Sequence, residues 1–229
     1  ITGTPRTCTI KRFNGKWYVC ISVEYTPEPL PRIAISIGID MGLENFAMLS
    51  TGEVIENPKF FRTEEQALAK AQRKLSKHDK GTPERAKARK MVARVHERTR
   101  NKRHNFIHQT TRKIVNNFDT ICIENLNIKG MVKNHCLAKS ISDASWNMFA
   151  QVLAYKAAEA GRQFVQVDPR NTSKVCSRCG TAVEKDLSIR WHECPVCNIS
   201  LHRDHNASLN ILRLGLQSLS NQSVEALAL

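Results

Sequence analysis

The sequence predicts an α/β chain: a sheet carrying helices on its faces, with a small metal-clamped module inserted before the last helix. Three observations carry that expectation. Short apolar runs that read as strands alternate with longer helical stretches. Two Cys-x-x-Cys pairs, Cys176/Cys179 and Cys194/Cys197, sit in one short segment just ahead of an amphipathic helix. Finally, 35 Lys and Arg against 21 Asp and Glu give a formal charge of +14. That is far more than solubility needs, so it predicts a polyanionic partner, with nucleic acid first. An anionic membrane is the competing partner, but the sequence holds no long apolar run, lipidation motif or signal peptide. The 229 residues allow one good core plus a small appended module. Cys8, Cys20, Cys122 and Cys136 are scattered and read as reduced packing cysteines, which fits a cytoplasmic setting. An Ile at position 1 fits a fragment of a longer protein.

Thr7 to Tyr25 reads as a β-hairpin, because Asn14-Gly15 between alternating apolar runs is a strong hairpin signal. Two strands alone are marginally stable, so this hairpin is expected to complete a sheet with residues upstream. A proline-marked linker, TPEPLP, closes segment 1–31. Ile33, Ile35, Ile37 and Ile39 then alternate with small residues and predict a buried strand that ends at Asp40. A strand around Phe46 to Leu49 and a Thr51-Gly52 turn into Val54-Ile55 complete a three-strand meander. Taken alone, Asp40 before Met-Gly reads as a turn former.

Residues 63–117 predict two helices, parted at His78 to Pro83, where Thr82 and Pro83 supply a cap and a first-turn proline. Arg73, Lys74 and Lys77 fall in the first; Arg85, Lys87, Arg89, Lys90, Arg94 and Arg98 fall in the second. A solvated face is the ordinary reading of such a run. Its one-sidedness favours tracking a phosphate backbone, which makes these residues candidate nucleic-acid contacts. Phe118 to Glu124 predicts a strand that again ends in an acid. One helix is expected over Ser142 to Ala160, closed by Gly161, then a strand over Gln163 to Val167 and a last helix over Asn206 to Leu216.

The paired knuckles Cys176/Cys179 and Cys194/Cys197 present four sulfurs, the donor set of a tetrahedral Zn²⁺ site. Their spacing is of the zinc-ribbon kind, slightly shorter than usual. Two disulfides or free thiols are the alternatives. With four cysteines filling the tetrahedron, His192, His202 and His205 read as surface or nucleic-acid contacts. Asp40 and Glu124 end strands, and Asp204 opens the helix expected to pack on their sheet. Acids gathered at carboxyl ends of strands repel unless cations sit between them, and Mg²⁺ takes such oxygen ligands together with substrate phosphate. A pair of such ions hydrolyses phosphodiesters. Acids, basic surface and zinc module together point to a metal-dependent nuclease.

GIDMG (Gly38 to Gly42), IENLNIKGM (Ile123 to Met131), KSISDASW (Lys139 to Trp146), NPKFFR (Asn57 to Arg62) and CSRCG…CPVC…HRDHNAS resemble TnpB, the OrfB-type proteins of insertion sequences. The resemblance covers nearly the whole chain, with motifs matched in order and spacing. That family is related to type V CRISPR effectors. It implies a RuvC-like, RNase H-fold DNA endonuclease with a zinc-ribbon insertion, guided by RNA to a DNA target. It implies that Asp40, Glu124 and Asp204 are the catalytic acids and hold two Mg²⁺, that the four knuckle cysteines hold Zn²⁺, and that Arg203 and Asn206 line the site and contact nucleic acid. The presence of all three acids argues against nuclease-dead relatives that act as repressors. Family members carry a helical recognition lobe inserted in a wedge-type β-barrel, of which only the hairpin of segment 1–31 is expected here. The remaining division is a nuclease core over 32–172, a zinc ribbon over 173–200 and a core helix with its tail over 201–229. A nucleic-acid-binding protein without cleavage, truncated or regulatory, is the rival. A transposase that joins strands itself shares the three-acid pattern.

Overall fold

The chain forms, in order, β1 (Thr4–Phe13), β2 (Lys16–Glu24), β3 (Ser36–Met41), β4 (Asn45–Leu49), β5 (Val54–Glu56), α1 (Phe60–Ser76), α2 (Pro83–Asn117), β6 (Thr120–Glu124), α3 (Ile128–Met131), α4 (His135–Ala144), α5 (Trp146–Glu159), β7 (Gln163–Val167), β8 (Trp191–Glu193), β9 (Ser200–His202) and α6 (Arg203–Leu227). This computed structural model describes residues 2–186 and 188–227, with side chains through 221. Ile1, Leu187 and residues 228–229, which fall in the expected segments 1–31, 173–200 and 201–229, lie outside that description. Two compact units result, one of residues 1–28 with 59–108 and one of 29–58 with 109–229.

The larger unit is built on a five-stranded sheet of order β5-β4-β3-β6-β7. β3, β4 and β5 form the expected antiparallel meander, while β3, β6 and β7 run parallel. Parallel neighbours need a crossover, which α5 provides between β6 and β7. Ile37, Ile39, Ile121 and Ile123 are fully buried in the sheet; Phe46 meets Phe149 of α5 edge-on at 5.1 Å. α6 lies against the same strands. Gly38 permits the approach, because a Cβ there would overlap the Ser208 carbonyl; at Gly215 one would overlap Cys122 Sγ. The helix runs Arg203–Leu227, well past the expected Asn206 to Leu216.

Two expectations fail here for physical reasons. Ile33 and Ile35 do not belong to the buried strand: they are 39% and 48% exposed, and β3 begins at Ser36. Ala34 takes a positive φ of 57°. The Asp119 carboxylate holds that bend, accepting from the Ile33 N–H (2.8 Å) and the Ala34 N–H (2.6 Å). Buried Arg162 pairs with Asp119 and donates to the carbonyls of Pro31 (2.9 Å) and Val115 (3.1 Å). The chain at 31–34 is therefore a strap tied to the core. Likewise, the single helix expected over Ser142 to Ala160 is broken at Ser145, where φ is 56°, so that Trp146 and Asn147 open a new helix.

In the smaller unit, β1 and β2 pair antiparallel through Asn14-Gly15, whose φ values of 48° and 79° are those of a tight hairpin turn. Glu97 of α2, itself buried, accepts from Asn14 Nδ2 (3.1 Å), Lys16 Nζ (3.1 Å) and the Tyr18 hydroxyl (3.2 Å), which pins the hairpin to the helix. α1 and α2 are joined by Phe60 against Phe106 and by Glu64, which accepts from Lys102 (2.8 Å) and Arg98 (3.3 Å).

Candidate active site

Parallel strands end on one edge of their sheet. Because Ile39 pairs with Ile123, the next residues, Asp40 and Glu124, come side by side from distant sequence. The first turn of α6 brings Asp204 to the same place, an electrostatically favourable position for an acid. All three line one cleft of about 480 Å³, with Glu44, Trp146, Thr172, Arg190 and Arg203. Burial, reinforced by the charges of Glu124 and Asp204, pushes Asp40 well above the usual carboxylate range, while Arg203 opposes the shift. Burial also raises Glu124, against a hydrogen bond from Thr172. Carboxylates so placed hold a shared negative field that a hard divalent cation relieves, and their oxygens are the donors such an ion takes.

Sequence reasoning missed Thr172. Its buried hydroxyl donates to Glu124 Oε1 at 2.5 Å, and its carbonyl accepts from Asn210 Nδ2 of α6 at 2.8 Å. The one available signal was its position just past β7, on the sheet edge where the acids gather. Arg203 lines the cleft as expected, but Asn206 does not. Asn206 is fully buried, with Oδ1 accepting from Ser177 N (2.9 Å) and Nδ2 donating to the Val175 carbonyl (2.8 Å). Both amide atoms are spent on joining α6 to the first knuckle.

The two knuckles are near copies. Gly180 N donates to the Cys176 carbonyl and Asn198 N to the Cys194 carbonyl, both at 2.9 Å, and both residues take positive φ. The four sulfurs lie within 4.8 Å of one another. Cys176–Cys197 and Cys179–Cys194 are 3.6 and 3.5 Å apart, too far for disulfides, whose S–S bond is about 2.05 Å. A tetrahedral ion with metal–sulfur bonds of about 2.3 Å would set such edges at about 3.8 Å, so the donors fit one. The Thr181 hydroxyl and backbone N–H draw the Cys179 thiol down to about 6. Against a backbone hydrogen bond from Ile199, burial and the neighbouring thiols push Cys197 up to about 12. Thiols this close do not all ionise unless a cation joins them.

His192 corrects the reading of surface histidines. It is fully buried, and its Nδ1 meets Lys185 Nζ at 2.5 Å. His205 contacts the Ser50 carbonyl at 3.2 Å, and His202 Nδ1 accepts from Asp204 N at 3.3 Å.

In the smaller unit, α1 and α2 frame a cleft of about 820 Å³ lined by Lys70, Arg73, Lys74, Lys77, Arg94 and Arg98 over Ala67, Ala71, Met91 and Val95. No acid is among its lining residues. Lys87, Arg89 and Lys90 are not in that lining. Arg85 turns its guanidinium to the carbonyls of Leu75 (3.2 Å) and His78 (2.6 Å), closing the end of α1. Among the described residues, no helix is long and apolar enough to cross a membrane.

Residues 18–135 match a family, OrfB of IS605, described as "Probable transposase", and residues 146–211 match a "Cas12f1-like, TNB domain". A protein of Streptomyces pristinaespiralis named "Putative RNA-guided DNA endonuclease" is 41% identical over 93% of this chain and 53% of its own length. One of Escherichia coli K12 with the same description is 32% identical over 94% of this chain and 58% of its own. The chain thus spans about half the length of these curated relatives. Among solved structures, a Cas12f1–sgRNA–target DNA complex superposes with a TM-score of 0.54 at 20% identity, covering 89% of this chain and 55% of that one. A CRISPR-Cas12f ternary complex gives 0.59 at 22% identity, over 86% and 41%.

Proposed function

The chain belongs to the OrfB IS605 family of probable transposases, and from that premise we propose that it is the nuclease portion of an RNA-guided DNA endonuclease. The mixed sheet with its crossover helices is then an RNase H-like, RuvC-like core, and the cysteine module a zinc ribbon. Segment 1–31 is a remnant of a wedge-type barrel, 32–172 and 201–229 make the core, and 173–200 is the ribbon. Asp40, Glu124 and Asp204 would hold Mg²⁺, which when bound activates water and stabilises the leaving oxygen of a phosphodiester. Thr172 fixes the Glu124 carboxylate, and Arg203 offers a cation to substrate phosphate in the same cleft. The convergence of three acids at the ends of β3 and β6 and the start of α6 carries this reading. Guide RNA and target DNA are the partners that the relatives' names suggest, and the basic cleft of α1 and α2 suits their phosphates. Incubation with single-stranded DNA and Mg²⁺ tests it. Cleavage supports the reading, strand-transfer products would point to transposase chemistry, and binding without cleavage to a regulatory protein.

Two expected results follow at the level of single groups. Thr172→Val keeps the side-chain shape but removes the donor to Glu124. Hydrogen bonds to charged groups are worth about 1.5–3 kcal/mol, so single-turnover cleavage should slow by about tenfold or more, and Thr172→Ser should restore it. A Val protein as fast as wild type would leave Thr172 without a positioning role. Second, neutralising Arg73, Lys74, Lys77 and Arg94 should flatten the salt dependence of binding. Each lost phosphate contact lowers the log–log slope by about 0.7–0.9. Neutralising Lys87, Arg89 and Lys90, which lie outside the cleft lining, should change the slope less.

A further inference from the structure

Directly after Glu124 the chain leaves β6 and builds a second cleft, of about 460 Å³, lined by Asn125, Leu126, Asn127, Ile128, Lys129 and Asn147. Leu126 lines both this cleft and the acid cleft, so the two adjoin. Its chemistry is unlike that of the basic cleft on α1 and α2. Three amides, one cation and two aliphatic side chains line it, with no carboxylate among them.

Asn residues in a loop are ordinarily turn formers, and Asn127 is one: its Oδ1 caps α3 by accepting from Gly130 N at 3.0 Å. Asn125 and Asn147 differ. Both are exposed. Among the described residues, neither side-chain amide, nor the Lys129 ammonium, has a partner. Asn147 is held in place by the break at Ser145, which starts α5 there.

We propose that this cleft takes one unpaired nucleobase of the substrate strand, next to the bond that the acids cut. The inference rests on the nuclease reading above. Side-chain amides offer a donor and an acceptor together, the pattern that base edges answer. Leu126 and Ile128 supply apolar surface for the face of the base, and Lys129 meets a neighbouring phosphate. A site for phosphate alone would need cations, as in the basic cleft, and would leave the amides without work. Single-stranded nucleic acid is recognised in this manner, by splayed bases whose edges are free. The volume lies in the range of small-ligand sites, about 300–1,000 Å³.

The test uses the whole chain and an Asn125→Ala/Asn147→Ala variant, both replacements at exposed positions. Single-turnover rates are measured on single-stranded DNA substrates carrying each of the four bases, or an abasic residue, beside the cut bond. Wild type should discriminate among bases and slow on the abasic substrate, each by about tenfold, the scale of one well-made amide–base contact. The variant should treat all five substrates alike, with unchanged Mg²⁺ dependence. In parallel, fluorescence anisotropy without metal compares an ordinary oligonucleotide with an abasic one of equal length. Wild type should prefer the ordinary strand several-fold and the variant should not. Base discrimination retained in the variant, or absent from wild type in both assays, overturns the proposal. Discrimination in binding by a protein that cleaves nothing would uphold the base site and overturn the nuclease reading instead.

Discussion

Asp40→Asn is expected to abolish Mg²⁺-dependent cleavage and, at the same time, to raise the melting temperature of the metal-free protein. Both effects have one cause. Asp40 is pressed by burial and by the neighbouring charges of Glu124 and Asp204, which push its carboxyl well above the ordinary range. A carboxyl raised in the folded state costs stability at pH values above its unfolded pKa, and the cost fades as pH falls and the group protonates. Asn removes the charge and keeps the size, so the variant should gain stability at neutral pH. Its advantage over wild type should shrink as pH falls towards the ordinary carboxylate range. Metal-held charge is worth several kcal/mol in the transition state, so loss of one ligand should cost about 10³ in rate or more. Affinity for nucleic acid should hardly change, because Lys and Arg on phosphates supply it. Glu124→Gln, which leaves an acceptor for Thr172, and Asp204→Asn should lose cleavage likewise. Melting curves with and without Mg²⁺ at two pH values, beside single-turnover rates, make the check. Retained cleavage by any one variant would sink the assignment of that residue.

What the sequence made legible is local: the hairpin at Asn14-Gly15, the acids at strand ends, the cysteine knuckles and the break between the two basic helices. These rest on turn chemistry, short periodicity and ligand spacing, which neighbouring residues determine among themselves. What stayed hidden depends on partners far along the chain. The isoleucine alternation reads back to Ile33, yet Asp119 and Arg162 bend the backbone at Ala34 and the strand starts later. Asn206 looks like one more polar residue beside the acid Asp204, yet Val175 and Ser177 occupy both its amide atoms. Arg85 reads as one more phosphate contact, but its guanidinium is turned to the carbonyls of Leu75 and His78 at the end of α1, whereas Arg98 reaches Glu64 and still lines the basic cleft. Charge count gave the sign of the surface, whereas hydrogen-bond geometry decides which cations face an open cleft. Thr172 carries no motif, and only its contact with Glu124 gives it a role.

Those hidden contacts also join the cysteine cluster to the acids, from which the second large effect follows. Asn206 grips the backbone on both sides of Cys176, at Val175 and Ser177. Asn210 holds Val175 and Thr172 from the same helix, at 2.7 and 2.8 Å, and Thr172 in turn holds Glu124. On α6, Asp204 lies two residues before Asn206, within one turn, and fewer than two turns before Asn210. A small module with few apolar residues takes its folding free energy from its metal, so loss of a sulfur ligand should melt the knuckles and release Asn206. Displacement of a catalytic group by about 1 Å costs on the order of a hundredfold in rate. Cys194→Ser is therefore expected to lose zinc and to cleave about a hundredfold more slowly at saturating DNA, although no cysteine lines the acid cleft. Asn206→Ala separates the two steps: it should keep its zinc and still cleave more slowly, because the knuckle stands but no longer anchors the helix. If the module only gripped nucleic acid, the Cys194→Ser defect would appear as weaker binding with normal turnover at saturation. Zinc content and single-turnover rate measured on the same preparations decide between the two, and a zinc-free protein that cleaves at the wild-type rate refutes the coupling.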